Sequence, residues 1–381
     1  MLTALVTIAI FLVMISIHEF GHFIVAKLCG ITVLEFAIGM GPAIFKKEKG
    51  GTLYSVRILP IGGYCKMEGE DIESEDEGAF CNQNLLKRFL VVVAGAVLNI
   101  LLGFSIFLVI AGQSAPFATN TVETLDERSS MYLSGVMPGD VISKINGKKI
   151  GFYRDIVLYR DEMKAEAPVE IEVKRNGERM KFVFSLSHMT GVRRYGETGY
   201  TETTTMNGIT ETVEGKYSEG TVIPEELIGY EQELDGYLLG FSPVVEQISA
   251  KGTIREAFYN TRYVIRIVYK GLFDMITGRA GFEQVSGPVG IVSAVNTAVK
   301  SQASLLSVLS LAALLTINLG IFNLLPIPAL DGGRIFFMLI ELIRRKPVPA
   351  EKEGLIHAIG LMLLLGFALI VSAKDIIMLF K

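Results

Sequence analysis

The sequence predicts a polytopic α-helical membrane protein with four transmembrane helices, a membrane-associated β-hairpin or sheet, and an inserted extracytosolic β-rich domain. Three observations support this fold class. Half of the 381 residues are hydrophobic, four long apolar stretches occur, and β-prone segments lie between them. The mean hydropathy of +0.44 is high for a soluble enzyme and low for a pure helix bundle. A chain that is partly membrane-embedded and partly water-soluble fits these values best.

The four apolar stretches are long enough to span a bilayer, which takes about 20 residues. They cover roughly residues 1–26, 89–112, 303–327 and 355–373. No lysine or arginine precedes the first stretch and no small-residue cleavage site follows it. We therefore interpret it as a retained helix and not as a signal peptide.

Lysine and arginine residues cluster between the first two stretches and again between the last two. Because cytosolic loops of membrane proteins carry an excess of positive charge, both loops should be cytosolic and the long middle region should lie outside. The net charge of −4 leaves no dominant basic face, so nucleic acid is not expected as a partner. Three cysteines match no zinc-ribbon or redox spacing and should be reduced thiols.

Three ionisable residues, His18, Glu19 and His22, interrupt the first apolar stretch. A charged residue at the centre of a membrane helix costs about 2.5–3.5 kcal/mol on insertion scales, so a compensating partner is expected. Residues four apart share a helix face, and both imidazoles can therefore meet one metal ion. Glu19 borders the same face, where it can act as a base. This HExxH pattern predicts a Zn²⁺ site with two histidine ligands and Glu19 as the catalytic base.

A catalytic zinc ion usually takes three protein ligands, so the two histidines leave one ligand to be found. His188 falls in the predicted extracytosolic domain and should be remote, while His357 begins the fourth stretch and is a weak candidate. Asp331 is the better candidate because it follows the third stretch on the same side of the membrane as His22. The alternative for Asp331 is capping of the helix that follows it.

Four motifs together resemble the site-2 proteases, specifically the bacterial sigma-E protease type of intramembrane zinc metalloprotease. They are the HExxH motif, the Asn-Pro-Pro-Leu-Asp-Gly run from Asn323 to Gly332, Gly95-Ala96-Val97-Leu98-Asn99, and Ser286-Gly287-Pro288-Val289-Gly290. The resemblance covers nearly the whole chain. It implies that His18, His22 and Asp331 bind zinc and that Glu19 is the base. It also implies that Asn323 contacts substrate backbone, and Asn99 is a candidate for the same role; for both, the alternative is a polar residue packing helix against helix.

The resemblance further implies substrates and location. The expected substrates are single-span membrane proteins, such as an anti-sigma factor after a first external cut or a signal-peptide remnant, in regulated intramembrane proteolysis. The chain should be a multi-pass protein of the bacterial inner membrane with its active site towards the cytosol. Two alternatives from other classes are a membrane metal transporter, since intramembrane His and Glu also bind transported ions, and a catalytically inactive membrane scaffold.

A β-prone segment at residues 53–59 is followed by Gly62 and Gly63, which suit a sharp bend. The resemblance places a membrane-associated β-structure here, beside the active site. A strand edge at this place could hold an unwound substrate by β-augmentation, which makes Gly62 and Gly63 candidate substrate-binding residues. The alternative is an amphipathic hairpin that only packs.

In the middle region, Pro138-Gly139-Asp140 makes a turn into a strand at 141–145, and Asn146-Gly147 and Asn176-Gly177 are strong hairpin turns. With these motifs the middle region resembles a PDZ domain. A PDZ groove could bind a peptide C-terminus as an added strand; a rigid cover without peptide binding is the alternative. Over residues 251–281, apolar side chains recur at helical spacing, which predicts an amphipathic helix. This helix would lie on the outer membrane surface or against the PDZ-like domain.

These observations divide the chain into eight expected segments. In chain order they are a first transmembrane helix (1–27), a cytosolic membrane-associated β-structure (28–88), a second transmembrane helix (89–112), the PDZ-like domain (113–189), an insert of unknown structure (190–250), the amphipathic helix (251–281), a third transmembrane helix with the Leu-Asp-Gly motif (282–331), and a cytosolic helix with a fourth transmembrane helix (332–381).

Overall fold

The computed structural model describes the chain except residues 1, 71–73, 114–116, 161–162, 166, 218–226, 248, 280, 282–284, 302–303 and 380–381. Of the eight expected segments, only 89–112 lies wholly within the described residues. The helices are α1 (Leu2–Leu28), α2 (Leu85–Gln113), α3 (Ser130–Leu133), α4 (Tyr153–Arg160), α5 (Ala250–Ile276), α6 (Pro288–Lys300), α7 (Ser304–Asn323), α8 (Asp331–Arg344) and α9 (Ala350–Leu379).

The strands belong to three sheets. They are β1 (Val33–Lys49), β2 (Thr52–Met67), β3 (Phe117–Leu125), β4 (Val141–Ile145), β5 (Lys148–Lys149), β6 (Pro168–Arg175), β7 (Glu178–Ser185), β8 (Ser187–Tyr195), β9 (Gly199–Met206), β10 (Ile209–Lys216), β11 (Glu231–Leu238) and β12 (Phe241–Glu246). The chain divides into two compact units: a mainly helical unit (Met1–Gln113 with Thr253–Lys381) and a β unit (Ser114–Gly252).

Four helices of the described chain, α1, α2, α7 and α9, are long and apolar enough to cross a membrane. Together with the sheets, they fit a membrane protein with a β-rich domain. The expected third transmembrane segment, 282–331, differs from the structure because it contains two helices, α6 and α7. Proline at the first turn begins α6, and the carboxylate of Asp375 on α9 accepts the backbone N–H groups of Gly287 and Gly290. The chain thus starts a new helix at the Ser-Gly-Pro-Val-Gly motif.

The β1–β2 hairpin folds back on itself. Its tip is the Gly50–Gly51 turn, and residues 35–38 of β1 lie beside both 53–56 and 63–66 of β2. The two runs of β2 pair with 35–38 in opposite directions, so β2 reverses direction between Val56 and Gly63, and Gly62 lies in this reversal with a φ of +85°. The expected bend at Gly62-Gly63 therefore falls within the bounds of β2 and not in a loop. A glycine in a strand pattern marks a bulge as readily as a turn.

A cluster of polar side chains ties the hairpin together. Glu35 accepts hydrogen bonds from Ser55 Oγ and Arg57 Nη2, both at 2.7 Å, and Arg57 also contacts the Tyr64 hydroxyl. Burial raises the pKa of Glu35, but the hydrogen bonds from Ser55 and Arg57 and the arginine charge outweigh it and hold that pKa below its usual value. The ionised cluster joins both halves of β2 to β1.

The β unit contains two sheets. One has the strand order β12-β3-β4-β6-β7, with β5 paired to β4, and covers a core that includes Met131, Ile142, Ile145 and Ile171. The Asn146-Gly147 and Asn176-Gly177 pairs take positive φ angles and close the two hairpins expected there. The other sheet, with the order β10-β9-β8-β11, occupies the segment for which no structure was predicted.

The apolar face of α5 packs on the helical unit. Its buried side chains form one cluster with α2 and α7, and the members are Ala257, Val264, Val268, Phe107, Ala313, Ile317 and Ile321. The segment expected as an amphipathic helix over 251–281 is therefore helical over most of its length, and its apolar stripe contacts neighbouring helices.

Candidate metal centre

The centre is built where α1 and α2 approach most closely. A Cβ placed on Gly21 of α1 would lie 2.6 Å from the carbonyl oxygen of Ala94, and one placed on Gly95 of α2 would lie 2.5 Å from Nε2 of His22. Only glycine at both positions lets the two backbones come this close. The two histidine rings therefore lie directly against the α2 backbone, and both are buried.

The structure brings Asp331 to these histidines from more than 300 residues away. Its Oδ2 lies 3.1 Å from His18 Nε2 and 3.4 Å from His22 Nε2, and the two Nε2 atoms are 3.2 Å apart. In the described part of the chain, these three side chains are the group whose ligand atoms could hold a metal ion. The turn between α7 and α8 delivers the carboxylate, since Asp331 is the first residue of α8.

The spacing of the three atoms fits a tetrahedral ion. A zinc ion with ligand bonds of about 2.0–2.1 Å separates its ligand atoms by about 3.3–3.4 Å. The observed separations are 3.1, 3.2 and 3.4 Å. The nitrogen chemistry agrees. His22 Nδ1 lies 2.9 Å from the carbonyl oxygen of Val91 and donates to it, so a neutral His22 directs the lone pair of Nε2 at the carboxylate, as a metal ligand does. A metal ion or a proton between Nε2 and the carboxylate balances the charge at this contact.

Two asparagines from other helices also contact His18. Nδ2 of Asn99 on α2 lies 3.3 Å from Nδ1, and Nδ2 of Asn323 at the end of α7 lies 3.4 Å from Nε2. Asn99 is completely buried and Asn323 is nearly so. Both residues expected to contact substrate therefore lie against the metal centre; Asn99 faces the outer nitrogen of the ring.

Glu19 lies on the open side of the centre. It accepts a hydrogen bond from the backbone of Cys65 and lines a cavity of about 710 Å³ together with His22 and Asp331. A Cβ placed on Gly63 would lie 2.8 Å from the carbonyl oxygen of Ala37 and 3.5 Å from Glu19 Cγ. Strand β2 thus passes beside the glutamate at Gly63, while Gly62 packs against a methionine of β1.

The other two histidines weighed as ligands do not belong to this group of ligand atoms. His188 pairs with Asp235 in the β unit, at 2.7 Å. His357 on α9 accepts the backbone N–H of Ala329 through Nδ1. The carbonyl of Val91 was not predicted as part of the site; its role depends on the contact between α1 and α2, and no local sequence signal reports it. Burial raises the pKa of the neighbouring Cys65 thiol, so this cysteine is protonated and not a nucleophile at neutral pH.

Zinc-dependent hydrolases typically combine two histidines four residues apart with a carboxylate from another helix and a nearby glutamate that does not bind the metal. Comparison with known proteins agrees with this class. The model of peptidase family M50 matches residues 6–367. The chain therefore belongs to peptidase family M50, the site-2 protease family.

The relatives carry zinc metalloprotease names and match nearly the whole chain. A Clostridium perfringens protein that carries a zinc metalloprotease name is 36% identical, with 96% of each chain covered. Zinc metalloprotease RasP of Shouchella clausii is 30% identical over 100% of both chains, and zinc metalloprotease RasP of Geobacillus kaustophilus is 28% identical over 97% of this chain and 96% of its own. The predictions of a site-2 protease, a zinc-dependent peptidase and a Zn²⁺ cofactor are thereby confirmed.

Proposed function

We propose that this metalloprotease hydrolyses peptide bonds of single-span membrane proteins at the centre formed by His18, His22 and Asp331, with Glu19 as the catalytic base. The observation that carries the proposal is that ligand atoms of His18 and His22, on a helix apolar enough to cross a membrane, meet the carboxylate of Asp331 at the start of α8, with Glu19 directly beside them. Buried histidines and a carboxylate in such surroundings need a cation to compensate them.

The zinc ion and Glu19 have separate roles in the proposed reaction. Zinc, when bound, supplies a Lewis acid that lowers the pKa of water towards about 7 and polarises the scissile carbonyl. Glu19 holds the proton released by the attacking water on its carboxylate and returns it to the leaving amine. The hydrogen bond from the Cys65 backbone holds this carboxylate in the cavity that His22 and Asp331 also line.

The two asparagines have different proposed roles. Asn99 Oδ1 has no hydrogen-bond partner within the described residues, while its Nδ2 faces His18 Nδ1. An amide turned by 180° offers Oδ1 to Nδ1–H of His18 and leaves Nε2 of that ring as the ligand. Asn99 therefore orients His18. Asn323 Nδ2 lies on the metal side of the ring, where it can donate to a substrate carbonyl.

The hairpin presents an extended substrate. A helical substrate hides its carbonyls in internal hydrogen bonds, so it must unwind before cleavage. Residues 63–66 of β2 pass Glu19, and within the described chain their ladder partners all lie in β1. The opposite edge is the place where an unwound segment would be added as a strand, with Gly62 and Gly63 allowing close approach.

The membrane arrangement that we propose has four spans in a bacterial inner membrane. The positively charged loops place the C-terminal end of α1 and the N-terminal end of α8 on the cytosolic side. His22 lies six residues before the end of α1, about 9 Å along the helix axis, so the centre is nearer the cytosolic face. The β unit, with its PDZ-like sheet, then lies outside, where it takes up a peptide C-terminus or limits access.

The test compares Glu19→Gln with a matched control, Glu75→Gln, which changes an exposed glutamate of the cytosolic loop. Each full-length variant is purified in detergent and incubated with a single-span substrate, and zinc content and cleavage are both measured. Glu19→Gln should keep its zinc and lose about 10²–10⁴-fold in cleavage rate, the range for removal of a general base. Glu75→Gln should match the wild type.

Two results would count against the proposal. Cleavage by Glu19→Gln at the wild-type rate would remove Glu19 from catalysis. Cleavage of a soluble unfolded protein with no cleavage of the membrane substrate would leave a metalloprotease that does not act on membrane spans.

A further inference from the structure

A tight turn immediately precedes the proposed zinc ligand Asp331. The backbone N–H of Leu330 donates to the carbonyl oxygen of Ile327 at 3.2 Å, with Pro328 and Ala329 as the two central residues. Ala329 has a φ of +76°. Proline at the first central position and a positive φ at the second define a type II turn, in which the second position strongly favours glycine.

Alanine at this position is strained, so another contact must hold the turn. That contact comes from α9. The N–H of Ala329, which a type II turn leaves without a partner of its own, donates to Nδ1 of His357 at 3.0 Å. The ring of His357 also packs against Phe337 of α8, with ring centroids 5.7 Å apart.

The rest of α9 is shaped to hold this turn. One turn beyond His357, a Cβ placed on Gly360 would lie 2.5 Å from Pro328 Cβ and 2.6 Å from the Pro328 carbonyl oxygen. A Cβ placed on Gly333, two residues after Asp331, would lie 3.2 Å from His357 Cε1. Glycines therefore let α9 and the start of α8 close around the turn from both sides.

We infer that His357 is a positioning residue: it fixes the strained turn at Ala329 and thereby sets the Asp331 carboxylate for zinc. The inference rests on the proposed ligand role of Asp331. It differs from direct ligation by His357, which the sequence left open, because Nδ1 is engaged by the Ala329 N–H and the ring acts through the turn.

The test measures zinc affinity of the full-length protein in detergent by competition with a chelator of known affinity. His357→Phe keeps an aromatic ring and removes the acceptor, and we expect zinc to bind about tenfold more weakly. His357→Asn places Oδ1 where Nδ1 stood and should stay within about threefold of the wild type. Adding Ala329→Gly to His357→Phe should recover most of the loss, since glycine adopts the positive φ without strain.

The variants separate the inference from its competitors. Unchanged zinc affinity in His357→Phe would overturn it. Equal loss in His357→Asn and in the double variant would also overturn it and would indicate direct ligation instead. If the Phe variant does not fold, His357→Gln replaces it, because its amide reaches the place of Nε2 and should lose affinity where Asn does not.

The outcome does not depend on the cleavage test. Zinc affinity in this series is read without substrate, so the pattern can hold even if Glu19→Gln still cleaves. Conversely, Glu19→Gln could lose cleavage while all His357 variants keep the zinc affinity of the wild type. That result would leave the proposed function and remove only the role of His357.

Discussion

Two aspartates, one in each unit, show how a structural carboxylate differs from one left open for a ligand. Asp140 in the β unit is completely buried, and Arg175 donates to its two oxygens at 2.7 Å each while the Met137 N–H adds a third bond. The chain itself supplies the counter-charge. Nothing further is needed to stabilise that carboxylate.

Asp331 in the helical unit has no such partner. Within the described chain its Oδ2 has no hydrogen-bond donor, and it faces the Nε2 atoms of two histidines. The Val91 carbonyl accepts a hydrogen bond from His22 Nδ1, which leaves Nε2 directed at the carboxylate. On the proposed assignment, the helical unit completes its charge balance with a cation from outside the chain, whereas the β unit completes it with arginine.

The strongest consequences are expected when the two aspartates are replaced by asparagine. Asp331→Asn removes the charge that the proposed zinc ion needs and should abolish stoichiometric zinc binding in the presence of a competing chelator. Asp140→Asn makes the same chemical change in the β unit. It should leave zinc content unchanged and destabilise the β unit by about 3–5 kcal/mol, because Arg175 loses its buried partner.

Zinc content by elemental analysis and thermal unfolding of both full-length variants give the two readouts. Full zinc retention in Asp331→Asn would remove Asp331 from the ligand set. Loss of zinc in Asp140→Asn would mean that the two aspartates do not differ in the way described.

The next effect concerns packing at the centre. Gly95→Ala places a methyl group 2.5 Å from His22 Nε2, so α1 and α2 must separate or the ring must turn away. We expect zinc affinity to fall by about 10–100-fold, as for disturbed metal surroundings elsewhere. Gly112→Ala is the matched control, since it lies near the end of the same helix with no atom within 4 Å of the added Cβ.

The same chelator competition measures both alanine variants. Equal affinities for Gly95→Ala and Gly112→Ala would show that the close approach of α1 and α2 is not required for metal binding.

The sequence predicted the helical unit better than the β unit, for a physical reason. A span of about 20 apolar residues has few alternatives to a helix in a bilayer, and α1 ends within one residue of the predicted boundary. The histidine spacing is a local property of one helix. The contact of His22 with Val91 and that of His357 with Ala329 depend on how separate helices pack, which one sequence does not specify.

In the β unit, local turn signals were easier to recognise than the strands that they connect. Asn146-Gly147 and Asn176-Gly177 predicted hairpins because positive φ at both residues matches the twist of the strands. Asn207-Gly208 carries the same signal and closes β9 onto β10, with Met206 opposite Ile209. The signal was present in a segment left without a predicted structure. Its threonine-rich strands are mostly polar, so hydrophobic alternation was too weak to support it.

The weakest effect on stability is expected at a partly solvent-exposed ion pair of the β unit. Hydrogen bonds from Arg128 hold the pKa of Asp126 below its usual value of 3.8, and burial opposes this only partly. The native state therefore gains stability above pH 3.8 and loses it as the pH falls below that value. Asp126→Asn should cost less than about 1 kcal/mol at pH 7, because the pair is partly exposed.

The pH dependence separates this pair from the buried Asp140–Arg175 pair. Calorimetric unfolding of the wild type and of Asp126→Asn should differ at pH 7, and the difference should shrink towards pH 3. A constant difference across that range would mean that Asp126 contributes through its shape and hydrogen bonds alone. The carboxylate would then resemble a neutral amide in its surroundings, and Asp140 would be the only one of these two carboxylates whose charge the β unit depends on.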